Sequence, residues 1–146
     1  MYELSYMPTE SEKENASNAY IITMMTVTLG LPFPILNLFA CIGFYFLIQK
    51  KTPFTKFHSL QAITSQVPVI LMNSAAIIWI IRILFQKAAI SNEFISYVIT
   101  VAIFNVIDIA YNIVAAMKAR KGLLYSYALF GPLSWMLIKN KSNTDV

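Results

Sequence analysis

FISYVITVAIFNVIDIAYNIVAAM, residues 94–117, carries a single charged side chain, Asp108, near its middle. A helix needs roughly 20 predominantly apolar residues to cross a bilayer, so this run reads as a membrane span. A carboxylate at that depth costs roughly 2.5–3.5 kcal/mol on insertion scales. Asp108 is therefore expected to face protein or water, and it is the first candidate functional residue. Asn105, Asp108 and Asn112 recur at i, i+3 and i+7 and share one helical stripe. Ala115 and Ala119 extend that face with small side chains suited to close helix contact.

The rest of the chain agrees with a membrane setting. Of its 146 residues 58% are apolar and 12% charged, and the mean hydropathy of +0.62 is high for a soluble domain. The apolar runs leave no room for a separate catalytic module. The chain has one cysteine, Cys41, and one histidine, His58, which removes the usual routes to a disulfide framework or a two-histidine metal site. No G-x-S-x-G, HExxH, P-loop or dinucleotide fingerprint occurs, so neither an enzyme nor a cofactor is expected. The net charge of +4 comes from bases beside apolar runs. That is the pattern of cytoplasmic loops rather than of nucleic-acid binding.

These features predict an all-α, polytopic helical membrane protein with three clear transmembrane helices and a short fourth apolar segment. Residues 1–18 form a polar acidic tail without the basic lead of a signal peptide, residues 19–138 a single membrane domain, and residues 139–146 a short polar tail. The first apolar run, 20–48, is longer than one span requires and is interrupted at Gly30-Leu31-Pro32-Phe33-Pro34. That interruption is either a kink or an unwound, ion-binding break. The second span covers about 59–85, with Pro68 inside it, and the third 94–117, with Gly122 able to cap it. Residues 123–138 contain Gly131-Pro132 and are short for a crossing. Loops 49–58 and 118–122 each carry three Lys or Arg and are expected in the cytoplasm, with the N-terminus and the 86–93 loop on the other side. Lys139 and Lys141 favour a last segment that does not fully cross.

Counting about 1.5 Å per residue from the cytoplasmic ends puts Asp108, Asn37 and Asn73 near one level. With Asn105 and Asn112 they make a candidate intramembrane polar cluster. It would act as a hydrogen-bond cluster holding the bundle together, as a proton- or ion-titrating path, or as a site completed by a partner. A second candidate lies at the mouth of the second span, where Phe54, Lys56, Phe57, His58 and Gln61 suit capping and interfacial anchoring.

The stretch Phe54-Thr55-Lys56-Phe57-His58-Ser59-Leu60-Gln61-Ala62 resembles the F-x-[RK]-F-H-x-x-Q-A signature of small bacterial multi-span proteins. Those proteins are related to the twenty-kilodalton component of the chloroplast inner-envelope import translocon, the Tic family. Ala116, Ala119, Gly122 and Tyr125 are similar to that group's A-x-x-A-x-x-G-x-x-Y ending of the third span. The resemblance covers roughly residues 30–138 and implies a helical membrane domain with a translocon-like or channel-type role in protein transport. Two other readings stay open: an accessory or regulatory protein that binds another integral membrane protein, and a small ion- or proton-coupled transporter subunit. The expected partners are the lipid bilayer and either a second copy or another integral membrane protein, with no nucleic acid. The expected location is the bacterial inner membrane.

Overall fold

Each helix starts and stops where the sequence supplies a partner for the backbone. The computed structural model describes residues 6–30, 39, 42, 43, 46, 52–87 and 89–142. Among them four helices follow in order: α1 (Glu10–Gly30), α2 (Pro53–Gln86), α3 (Asn92–Arg120) and α4 (Phe130–Ser142). A capping box opens α1, with the Thr9 amide donating to the Glu12 carboxylate and the Glu12 amide to Thr9 Oγ1. The acidic segment is thus helical from Glu10, and the Lys13 ammonium, 2.8 Å from Glu10, holds that carboxyl below its ordinary pKa.

Helix α2 opens on Pro53, whose missing N–H costs nothing in the first turn. The hydroxyls of Ser59, Thr64 and Ser65 turn back onto their own helix's carbonyls, which satisfies them in apolar surroundings. Helix α3 is capped by Ser91, whose hydroxyl accepts from the Phe94 amide. It ends in a Schellman motif: the Gly122 amide donates to Ala119 and the Leu123 amide to Lys118, with Gly122 at φ +75°.

Pairwise contacts fix the directions. Gln66 meets Asp108, Asn73 meets Asn105, and Trp79 packs on Phe94, so α2 and α3 are antiparallel. Tyr20 meets His58 and Gln61, while Thr23 meets Asn112. Helix α1 therefore runs with α2 and against α3. At one end of the bundle Glu14 of α1 reaches Arg120 of α3 at 3.6 Å. Small side chains, Ala16 and Ala19 on α1 with Ala115 and Ala119 on α3, are fully or almost fully buried there with Phe54, Ala62 and Tyr127. Their size lets the helices approach closely.

After Gly122 the chain turns back into the bundle. Gln61 binds the Tyr125 carbonyl and accepts from the Tyr127 amide. Ser65 and Pro68 line a cavity with Phe130, the first residue of α4. Five residues on, Trp135 packs against Phe57. Position on α4 rises as position on α2 falls, so α4 climbs back to the end where α2 begins. Helix α4 thus folds back along α2, and its 13 residues are fewer than the roughly 20 a span needs.

One expectation needs correction. The N-terminal segment does not lie opposite the basic loops, because Glu14 touches Arg120 and Lys13 lies over Gly122. Counting Lys and Arg had treated the run 20–48 as one crossing, whereas α1 and α2 start at the same end. Of the three membrane helices expected from the sequence, the described residues show two. These, α2 and α3, are long and apolar enough to cross. Helix α1 begins with a polar third, and the remainder of the 20–48 run, with Pro32 and Pro34, lies almost wholly outside the described residues.

Candidate functional site

The buried polar side chains form two linked groups on the end of the bundle that carries the basic residues, and a third pair beyond them. In the first group, Gln61 Nε2 donates to the Tyr20 hydroxyl at 2.8 Å, and the same hydroxyl lies 2.9 Å from His58 Nδ1. The phenol oxygen has one proton and two lone pairs, so beside the Gln61 bond it either donates to Nδ1 or accepts from it, according to the imidazole tautomer. Three rings enclose the imidazole edge-on, with centroids at 4.6 Å for Phe54, 5.3 Å for Phe57 and 5.6 Å for Tyr20. Phe54, Phe57, His58 and Gln61 have 0% exposure. They are therefore not an anchor for lipid headgroups. Lys56 alone of that motif is partly exposed.

The second group holds Asp108. Its Oδ2 accepts from Asn112 Nδ2 at 2.9 Å and from Gln66 Nε2 at 3.3 Å. Asn112 Oδ1 in turn accepts from Thr23 of α1 at 3.2 Å. Three helices thus meet through one carboxylate and its amide neighbours. Among the described residues no Lys or Arg forms an ion pair with Asp108. The carboxylate also lines a cavity of about 220 Å³ with Ser65, Phe104, Tyr111, Tyr127 and Phe130. The Tyr127 hydroxyl is buried there without a hydrogen-bond partner.

The third pair is a reciprocal amide clasp between Asn73 and Asn105, at 3.0 and 2.9 Å. Asn73 lies seven residues beyond Gln66 on α2, about 10 Å further along the helix. On α3 its partner Asn105 is three residues from Asp108, about 4.5 Å along the axis, so Asn73 and the carboxylate stand within about one helical turn of each other. Asn37 lies outside the described residues. Sequence reading missed Tyr20, Thr23 and Gln66, the partners that close the network. Gln66 carried a readable signal, a glutamine inside an apolar span, while Tyr20 stood only as the first residue of the apolar run 20–48.

Chemically the arrangement distributes hydrogen bonds. The one histidine is walled off by rings, and the one intramembrane carboxylate is held by amide donors. Among the described residues no three His, Cys, Asp or Glu side chains gather as metal ligands.

A family profile matches residues 14–136, from the second turn of α1 into α4. The chain belongs to the MamF/MmsF family, the magnetosome magnetite crystal formation proteins. No curated protein and no solved structure matches the chain. Membership of MamF/MmsF corrects the resemblance to the Tic family, and with it the translocon-like role and protein transport. The stretch 54–62 that carried the resemblance is the packed start of α2. Its aromatic residues enclose His58, and its glutamine pins the loop that follows Gly122. As a MamF/MmsF member with two apolar helices long enough to cross, the protein is a bacterial membrane protein.

Proposed function

We propose that this protein acts in magnetite crystal formation as a non-enzymatic, multi-span protein of the magnetosome membrane. Its polar network holds α1, α2, α3 and the loop that follows Gly122 in one arrangement. The family match across the helical membrane region carries the reading. The enclosed His58 and the amide-bound Asp108 support a packing role over a chemical one. Side chains such as Leu71, Ile78, Leu84, Ile99 and Val106 are exposed along α2 and α3. They supply a surface for lipid, a second copy or another integral protein.

The test deletes the gene in a magnetite-forming cell and complements it with a fluorescent fusion. The reading expects altered crystal size or number on deletion, rescue by the fusion, and fluorescence that follows the magnetosomes. Unaltered crystals, or fluorescence confined to other membranes, would refute it. A second reading, an ion- or proton-coupled role at Asp108, is favoured by the cavity the carboxylate shares with the unpartnered Tyr127 hydroxyl. Replacing Asp108 by Asn separates the two.

A further inference from the structure

A groove of about 460 Å³ runs between α1 and α3 on the outer face of the bundle. Its α3 wall is Ile113, Ala116, Met117, Arg120 and Lys121, a stripe at i, i+3, i+4, i+7 and i+8. Its α1 wall is Ser17, Ile21 and Met24, at i, i+4 and i+7. The helices are antiparallel, so both walls change character in the same direction. Ile21, Met24, Ile113 and Met117 line the deep part, and Ser17, Arg120 and Lys121 stand at the end where the basic loops lie. From Arg120 to Ile113 the groove reaches about 10 Å into the apolar layer at 1.5 Å per residue.

We propose that this groove binds an anionic phospholipid of the surrounding membrane, one acyl chain lying between α1 and α3 and the phosphate held by Arg120 and Lys121. The complementarity is positional. Two cations stand at one end of an apolar slot on the bundle, the arrangement of basic pockets that bind acidic lipids on the cytoplasmic side. A second helix would fill the apolar slot but would leave the two cations unmatched. Arg120 also reaches Glu14 at 3.6 Å, but both side chains are more than half exposed, and so weak a pair leaves the guanidinium able to engage a phosphate.

The purified full chain in mild detergent is offered phosphatidylglycerol or phosphatidylcholine with identical chains, and bound lipid is counted by native mass spectrometry. Phosphatidylglycerol should be retained at one equivalent and at least several-fold above phosphatidylcholine. The pair Arg120→Gln with Lys121→Gln should lower retention several-fold. Ile113→Trp, which fills the slot from an exposed position and leaves the charges in place, should lower it as well. Equal retention of the two lipids, or wild-type retention by either variant, would overturn the proposal. So would a stable dimer whose formation phosphatidylglycerol does not oppose.

Discussion

Asn73 and Asn105 clasp each other across α2 and α3, each amide donating to the other's carbonyl oxygen at 3.0 and 2.9 Å. Asn105 also donates to the Val101 carbonyl of its own helix. No water competes for such groups in an apolar layer, but an unfolded helix pair in the same layer finds other partners. The net worth of an interhelical bond there is consequently modest, about 0.6–2 kcal/mol. Asn73→Leu should therefore lower unfolding stability in detergent by roughly that amount, because it strands the Asn105 amide. The double change Asn73→Leu with Asn105→Leu should recover part of the loss. Additive losses in a double-mutant cycle would show that the two residues do not act as a pair.

Tyr20 is the hinge of the network at the basic end, since its hydroxyl is shared by Gln61 and His58. Tyr20→Phe keeps the ring packing and removes only the oxygen. It should cost roughly 1–3 kcal/mol, the penalty for leaving buried polar partners unmatched. Thermal melting followed by circular dichroism checks this, and an unchanged melting temperature would mean that the hydroxyl contributes nothing net.

Gly131 is packed directly on Ser126, and a Cβ added there would collide with the Ser126 side chain. Gly131→Ala should force the loop that follows Gly122 away from α2, with a loss of roughly 1–3 kcal/mol typical of overpacking. Limited proteolysis should then cut between residues 123 and 129 faster than in the wild type. Equal cleavage rates would place the loop elsewhere.

The antiparallel packing puts the first turn of α1 and the end of α3 on the same side, with the short α2–α3 connection on the other. In a Cys41→Ser background, cysteines replacing Met7, Ile90 and Lys121, all exposed, report the sides directly. With the protein expressed in the inner membrane of a cell that forms no magnetosomes, an impermeant thiol reagent added to intact spheroplasts should label position 90 alone. Labelling of position 7 together with 90 would restore the arrangement expected from counting basic residues.

What the sequence made legible follows from how strongly the bilayer constrains each feature. Helices α2 and α3 were readable because uncharged runs of that length have few other uses, and the glycine cap at Gly122 because the helix ends in bases and needs a left-handed residue. The stripe of Asn105, Asp108 and Asn112 was readable because polar residues in such a run are costly. Their partners were not, since periodicity assigns a face but not the helix it meets. Thus Asp108 turned out to meet Gln66, and Asn73 to meet Asn105. The entry of α1 was hidden because its Thr9-Glu12 capping box precedes a polar stretch, and an acidic segment without an apolar stripe reads as tail. The returning path of residues 123–142 depends on contacts from Gln61 and Phe57, which lie more than sixty positions away.

On the proposed function, the buried polar network serves magnetite formation by packing and not by titration or transport. Asp108→Asn keeps the shape and still offers an acceptor to Gln66 and Asn112 while removing the ionisable group. The most direct measurement is the size distribution of magnetite crystals, by electron microscopy, in cells whose only copy carries Asp108→Asn. Crystals like those of the wild type are expected. Crystals like those of the deletion strain, with the variant protein present at wild-type level in the magnetosome membrane, would contradict the account.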